Sequence, residues 1–432
     1  MLKNLEFIKA LSIFSISNII NAAIPFLLLP VLTNWLSTAD FGIVAMFQVL
    51  ITILLPFIGF NSDGSIVRYY YEKDKINYSL FISNAIFLVI IGAILLIPIF
   101  IFFGDFIIKI LFTTDSKYIS TNWLWIAMLI VIGQNIFQIQ QNLLQVQYKA
   151  IEYGIFRVLK TFLELSLSIL LIKYLENGWI GRIQGQFFPT ILFFLISLFL
   201  LYKKKWLVLK LDLPSIKMNL AYGLPLLPHV ISGVILTFSD RIFISNMIGI
   251  SETGNYAVGY QIGMIIHLGQ NSFNQAWVPW FFEKLKQNTN EIKLKIVKFT
   301  YLYFLLMILS ALILTMLAPL IFKIFIGENF SSGLNYVFWI ALGFAINGMY
   351  KMVVNYIFYL KKTYFIAMAT IVTASINIVL NYFLIKHNGA IGAAQATAIS
   401  FTIEFILIWI LSSILYKMPW LFFIKTKKAV SI

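Results

Sequence analysis

YGLPLLPHVISGVILTFSDRIFISNMIGISETGNYAVGYQ, residues Tyr222–Gln261, decides how the rest of the chain is read. Two prolines, Pro225 and Pro228, mark the entry to an apolar run of spanning length, and that run carries Asp240 and Arg241 side by side. A turn rich in Gly, Ser, Thr and Asn follows, Gly249 to Asn255, before the next apolar run. A charge inside a bilayer-spanning segment costs at least about 2.5–3.5 kcal/mol, so by default it is partnered or functional.

The composition outside this stretch agrees with a membrane reading. The 432 residues are 60% hydrophobic and 11% charged, with a mean hydropathy of +0.90. Soluble domains carry roughly a quarter charged residues. Apolar runs of about 20 residues recur along the whole chain, each enough for a helix across ~30 Å of hydrocarbon. They are continuous rather than alternating, which excludes an outer-membrane barrel. The net charge of +15 sits in short loops between apolar runs, where it serves orientation and anionic lipid heads. No nucleic-acid partner is expected. With no cysteine there is neither a disulfide framework nor a thiolate metal site. The first apolar run, from about Phe7, is spanning length without a small-residue cleavage pattern, so no cleavable signal is expected.

Twelve spans are predicted, at about 8–32, 41–62, 79–102, 121–144, 156–174, 184–202, 220–246, 255–278, 298–318, 334–357, 365–385 and 393–415. Most of the 32 Lys and Arg fall at the termini and in the loops after even-numbered spans. The opposite loops hold Lys109, Lys117, Lys173, Arg182, Lys323 and Lys386. The positive-inside rule therefore predicts two cytoplasmic termini in a multi-pass protein of a cytoplasmic or inner membrane.

The lysine-rich stretch 203–218 reads as a cytoplasmic linker between an N-terminal six-helix lobe, 1–202, and a C-terminal one, 219–415, with a basic tail at 416–432. The lobes echo each other. Asn177-Gly178-Trp179-Ile180-Gly181-Arg182-Ile183-Gln184 matches Asn388-Gly389-Ala390-Ile391-Gly392-Ala393-Ala394-Gln395 at five of eight positions, both before the last helix of a lobe. More loosely, Ser37…Phe47-Gln48 echoes Ser251…Tyr260-Gln261. Lobes with an even number of spans share one orientation, so the repeat is parallel, about an axis along the membrane normal.

Polar residues recur at helical spacing inside several spans. Gln134, Gln138, Gln141 and Gln145 line one face of the fourth, and Arg157, Lys160, Glu164 and Ser168 one face of the fifth. His267, Gln270, Asn271 and Asn274 group on the eighth, and Asn347, Lys351 and Asn355 on the tenth. Asn18, Asn21 and Pro25 share a face of the first; His229, Ser232, Gly233 and Asp240 share one of the seventh. Any single amide is explained as helix-to-helix glue. Six such helices together predict a hydrated interior.

Arg241 lies about five residues from the outer end of its helix, so two uses stay open: snorkelling to headgroups, or a bidentate grip on phosphate. Asp240 is about 100° around the helix and need not pair with it; holding a coupling cation is the other role. Lys160 and Glu164, four apart, suit an ordinary intrahelical pair. Lys351 and Glu404 are the next base and acid deep enough to matter, and no other arginine than Arg241 is placed deep in a span.

The chain has no GxxxxGK[ST], no HExxH and no dinucleotide fingerprint, and its loops are too short for a catalytic domain. No enzyme and no cofactor is expected, beyond a coupling H⁺ or Na⁺.

Several pieces, in order, resemble the polysaccharide repeat-unit flippases (Wzx type) of the superfamily that also holds multidrug/toxin extruders and the lipid II flippase. They are Leu29-Pro30-Val31-Leu32, Leu36-Ser37-Thr38-Ala39-Asp40-Phe41-Gly42, Tyr222-Gly223-Leu224-Pro225, Ser239-Asp240-Arg241-Ile242-Phe243-Ile244, Gly249…Gly254-Asn255-Tyr256 and Gly389-Ala390-Ile391-Gly392-Ala393-Ala394. The resemblance implies an all-α protein with two six-helix lobes in a V around a central cavity, working by alternating access. It implies movement of a polyprenyl-pyrophosphate-linked oligosaccharide to the outer leaflet of a bacterial or archaeal membrane, for O-antigen (lipopolysaccharide), capsule or exopolysaccharide assembly. Polymerase and chain-length machinery would be its partners. Arg241, which matches the family's Asp-Arg motif, would meet the pyrophosphate, supplemented by Lys351. Gln138, Gln141, Asn271, Asn274, Asn18 and Asn21 are the candidate sugar contacts, and Asp240, Glu164 and Glu404 the candidate coupling acids. Two rivals remain: a cation-coupled multidrug or toxin antiporter on the same fold, and a membrane-embedded polymerase or transferase.

Overall fold

The computed structural model describes residues 2–112 and 119–421, and every regular element among them is helical. Lys117, Lys425, Lys427, Lys428 and the rest of the predicted tail beyond 421 lie outside the described residues, as do the side chains of Lys3, Lys9 and Pro25. In chain order the helices are α1 (Leu2–Trp35), α2 (Thr38–Gly59), α3 (Ser62–Tyr69), α4 (Tyr78–Leu111), α5 (Asn122–Val146), α6 (Ala150–Lys173), α7 (Gly178–Lys203) and α8 (Leu213–Gly223). They continue as α9 (Leu227–Met247), α10 (Ile250–Gly263), α11 (Ile265–Gln287), α12 (Asn290–Phe325), α13 (Leu334–Tyr359), α14 (Tyr364–Asn388) and α15 (Ala390–Leu415).

Among the described residues nine segments are long and apolar enough to cross a bilayer: α2, α4, α5, α7, α12, α14, α15, the α8–α9 run and α13 with its preceding turn. The chain is thus an all-helical, polytopic membrane protein. The other three predicted spans fall on α1, α6 and the α10–α11 pair. The last two are the helices whose apolar runs are interrupted by Arg157, Lys160 and Glu164, or by His267, Gln270, Asn271 and Asn274.

Local sequence sets the ends. Ser37 and Asp40 form a capping box on α2: Ser37 Oγ accepts from the Asp40 amide at 3.0 Å, and the Ser37 amide donates to Asp40 Oδ2 at 3.2 Å. Asn77 caps α4 by accepting from Leu80 N at 3.1 Å. Asp212 caps α8, with Pro214 in its first turn.

Packing divides the chain into two units. The first comprises the chain to Val234 with Ile244–Ala257 and Phe325–Phe330, and so contains the whole 203–218 stretch. In it α6 packs on α1 and α7, and α5 on α2 and α7. The α6–α7 approach is close because small residues meet: Gly185 lies over Ser168, and Gly181 over the Leu171 backbone. In the second unit α13 packs on α11 and α15, and α14 on α15, around an aromatic core that includes Trp277, Phe281, Tyr356 and Phe405.

The repeat is visible in matched contacts. Within the first unit the Gly42 position of α2 abuts the Ile250 carbonyl at the start of α10, and the Gly254 position of α10 abuts the Thr38 carbonyl at the start of α2. Gly42 and Gly254, like Thr38 and Ile250, are 212 residues apart, so the contact is reciprocal. Asn177 donates to Gln184 Oε1 at 3.5 Å, and Asn388 makes the same bond to Gln395 Oε1 at 2.7 Å. Gly178 and Gly389, which follow the two asparagines, both have positive φ, +50° and +63°. A side chain would be strained there.

Candidate functional site

The spacing of amides on α11 and α13 places them on single faces, and helix packing brings those two faces together in the second unit. Lys351 Nζ donates to Asn271 Oδ1. One turn earlier on α13, Gln270 Nε2 donates to the Phe344 carbonyl at 3.1 Å and to Asn347 Oδ1 at 3.3 Å, and lies 3.2 Å from His267 Nδ1. Asn355 donates to the Lys351 carbonyl at 2.7 Å. Two acceptors in this seam, Gln270 Oε1 and Asn274 Oδ1, are buried and have no hydrogen-bond partner among the described residues. A fully buried unpaired amide oxygen is costly, which marks the seam as a place where a donor is missing.

The Asp240–Arg241 pair, also in the second unit, sharpens one expectation. Neighbours on a helix diverge by about 100°, yet Arg241 folds back. Its Nη1 lies 3.3 Å from Asp240 Oδ1 and 2.9 Å from the Thr237 carbonyl, and its guanidinium sits 4.2 Å from the Tyr260 ring centroid. Asp240 and Arg241 are 2% and 7% exposed. The length of the arginine side chain overcomes the angular separation. Beside them, Ser239 donates to Asn377 Oδ1 at 2.8 Å, Asn381 to Asn377 Oδ1 at 3.0 Å, and Asn377 to Ser400 Oγ at 3.0 Å. This buried chain joining α9, α14 and α15 was missed from sequence, although Asn377 and Asn381 are four apart on α14 and signal a polar face. Glu404 is buried elsewhere on α15 and accepts from Thr370 at 3.3 Å; it joins neither Lys351 nor Arg241.

In the first unit α6 presents the polar face expected of it. Lys160 pairs with Glu164, whose Oε1 also accepts from Thr190 at 3.2 Å. Arg182 corrects an expectation. Read as an outer-loop cation, it lies inside α7, and its Nη1 donates to Ser168 Oγ at 3.1 Å. The helix begins six residues before the predicted span because Gly178 at positive φ closes the turn early. Arg157 donates to Tyr153 Oη, which in turn donates to Asn18 Oδ1 at 3.0 Å, and Thr161 donates to Asn21 Oδ1 at 2.5 Å. Asn18 and Asn21 thus fasten α1 to α6.

The glutamine face of α5 divides. Gln138 is exposed and donates to Asn142 Oδ1 at 2.8 Å, whereas Gln141 is 1% exposed with neither amide atom hydrogen-bonded among the described residues. Gln145 is exposed and Gln134 half-buried. His229 and His267 are half-buried, and no group of three metal-ligating side chains occurs among the described residues.

Comparison with known proteins places this geometry in context. Residues 7–285 match the family described as polysaccharide biosynthesis protein. Two Haemophilus influenzae proteins are similar across most of their length. A protein of the Lsg locus is 26% identical over 385 residues, 87% of this chain and 91% of the relative. An uncharacterized membrane protein is 27% identical over 381 residues, 86% and 89%. Among solved structures, the lipid II flippase MurJ in an inward closed conformation aligns with a TM-score of 0.75 at 17% identity, covering 92% of this chain and 87% of that one. An inward-facing multidrug resistance MATE family transporter of the MOP superfamily aligns with 0.73 at 14% identity, covering 92% and 94%. The fold is therefore the one these two structures share. The chain belongs to the polysaccharide biosynthesis protein family.

Proposed function

We propose that the chain is a flippase that moves polyprenyl-pyrophosphate-linked oligosaccharides from the cytoplasmic to the outer leaflet by alternating access between two six-helix lobes, for surface polysaccharide assembly. The observation that carries this reading is an ammonium, that of Lys351, held among the apolar helices without a matching acid. In the first unit Lys160 pairs with Glu164, while Arg157 donates to Tyr153 Oη and Arg182 to Ser168 Oγ. In the second unit Lys351 is held by an amide, with no carboxylate at ion-pair distance among the described residues. Cations kept in a low-dielectric interior without matching acids favour an anionic ligand.

In this reading Lys351 and Arg241 meet the pyrophosphate. Gln138, Gln141, Asn271 and Asn274 serve the sugar hydroxyls, and Asn18 and Asn21 fasten α1 to α6. The lipid tail stays in hydrocarbon throughout. Asp240, Glu164 and Glu404 are the candidate sites for a coupling H⁺ or Na⁺, and the lysine-rich loops and both termini face the cytoplasm. The structural neighbours agree in kind: one is a lipid II flippase, the other a multidrug resistance transporter. A multidrug antiporter calls for acidic groups facing its cationic cargo, whereas the Lys351 ammonium is held by an amide with no carboxylate at ion-pair distance among the described residues.

Deleting the gene from its native host tests the proposal. The expected result is loss of one surface glycan with build-up of its complete lipid-linked repeat unit, oriented toward the cytoplasm. Unchanged surface glycan together with raised sensitivity to cationic dyes would overturn it.

A further inference from the structure

The stretch between α7 and α8 has an arrangement that transport does not use. Residues 206–212 run without helix and are strapped to α4 by two side chains. Ser83 Oγ donates to the Trp206 carbonyl at 3.2 Å and accepts from Val208 N at 2.7 Å. Asn84 Nδ2 donates to the Lys210 carbonyl at 3.2 Å, and Asn84 Oδ1 accepts from Asp212 N at 3.0 Å. Trp206 also packs edge-on against Tyr78, 5.8 Å between centroids. A strap bonded at every second residue holds its alternate side chains away from the protein. Leu209 and Leu211 are accordingly 87% and 63% exposed, and Leu213, at the start of α8, is 78% exposed.

Leu209 and Leu211 stand in the connection before the α8–α9 run, beside lysines: Lys203, Lys204, Lys205, Lys210 and Lys217 are all exposed. Two acids lie beside them, yet Lys203, Lys205, Lys210 and Lys217 form no ion pair among the described residues. Glu152 pairs with Lys204 at 3.1 Å. Asp212 accepts from Ser215 Oγ and Ser215 N at 2.6 and 2.9 Å, bonds that hold its carboxyl below the usual carboxylate range. Immediately after the strap, α8 and the turn beyond it form an open groove of about 520 Å³, walled by Leu213, Ile216, Leu220, Leu224 and Pro225, with Lys217 beside it.

Leucines projecting among lysines, next to an apolar groove, match the two ends of one molecule. An acyl chain fills the groove and a phosphate headgroup takes the ammonium groups. We infer that the strap and α8 form a seat for an anionic phospholipid of the bilayer, with Lys210 and Lys217 at its phosphate and the α8 groove around its acyl chain. The seat fixes the α7–α8 connection to the leaflet surface and stands whichever substrate the chain moves.

The test uses the full chain in vesicles of equimolar phosphatidylglycerol and phosphatidylcholine, with retained lipids counted by native mass spectrometry after mild extraction. The wild-type chain is expected to retain phosphatidylglycerol preferentially, and the double variant Lys210→Gln/Lys217→Gln to lose at least about fivefold of that preference. Equal retention of both lipids by the wild type, or an undiminished preference in the double variant, would overturn the proposal. Both lysines are exposed, and a melting curve confirms that the variant is folded. A second measurement needs neither change. A fluorophore on Leu209→Cys is expected to be quenched by nitroxides on lipid acyl chains, while one on the exposed loop residue Lys75→Cys responds to aqueous iodide. Quenching of the Leu209→Cys label by iodide alone would refute the seat.

Discussion

Lys351 on α13 donates its ammonium to the side-chain oxygen of Asn271 on α11, and no carboxylate lies within ion-pair distance of it among the described residues. An amide dipole orients the ammonium but leaves its full charge available. The pair therefore suits an anion that comes and goes better than a permanent salt bridge would.

Replacing Lys351 by Met should lower surface-glycan export by about ten- to a hundredfold, the range of one lost charge-assisted hydrogen bond of ~1.5–3 kcal/mol. Protein level should stay unchanged. Lys204→Gln, an exposed lysine paired with Glu152, should export like wild type. Quantitative glycan blots of matched strains check this; wild-type export from Lys351→Met would remove the ammonium from the site.

Arg241 is tied to Asp240, the Thr237 carbonyl and the Tyr260 ring at once. Arg241→Lys keeps the charge but loses the planar fork and much of the ring contact, so it should impair export more than any single loop-lysine change. Asp240→Asn should be milder than Asp240→Ala, because an amide still accepts a hydrogen bond. Removing one partner of a buried pair costs about 3–5 kcal/mol. Melting temperatures of Arg241→Lys and Asp240→Ala in detergent therefore separate lost stability from lost transport.

The reciprocal contact of α2 and α10 gives a prediction about the fold. A methyl at Gly42 would run into the Ile250 carbonyl, and one at Gly254 into the Thr38 carbonyl. Gly42→Ala and Gly254→Ala should each destabilise the protein by about 1–3 kcal/mol through overpacking. The two effects should be similar in size, since the contact is reciprocal. Gly269→Ala, where the added methyl meets nothing, is the control. Thermal unfolding followed by size-exclusion chromatography provides the comparison.

How much of this could be read from residues alone depends on how local each signal is. Spans and the Asn177/Asn388 echo are properties of short windows, and nine of the twelve predicted spans meet segments long and apolar enough to cross a bilayer among the described residues. The polar faces of α11 and α13 were equally legible, because helical spacing fixes a face. That the two faces meet required tertiary packing. Periodicity could not show that Gln141 would be buried while Gln138, three residues away, stays exposed. The long reach of arginine lets Arg241 meet its sequence neighbour Asp240, and the early start of α7 takes Arg182 out of a loop to meet Ser168 on α6.

The split of the α5 glutamines is testable because the chain lacks cysteine. Gln138→Cys should react readily with a charged, membrane-impermeant thiol reagent, and Gln141→Cys should react at least about tenfold more slowly, given exposure of 1%. Ile130→Cys, at 0% exposure, sets the unreactive limit. Rates from mass-shift gels decide; a Gln138→Cys as inert as Ile130→Cys would mean that this face is dry.

The central claim is that the chain carries anionic lipid-linked saccharides between leaflets. Its most direct measurement is reconstitution of the purified chain into vesicles containing a defined polyprenyl-pyrophosphate oligosaccharide, with arrival at the opposite leaflet read by an enzyme confined to that side. The account predicts protein-dependent movement that falls in Lys351→Met and is untouched by cationic dyes. No movement above protein-free vesicles, or movement of a cationic dye instead, would contradict it.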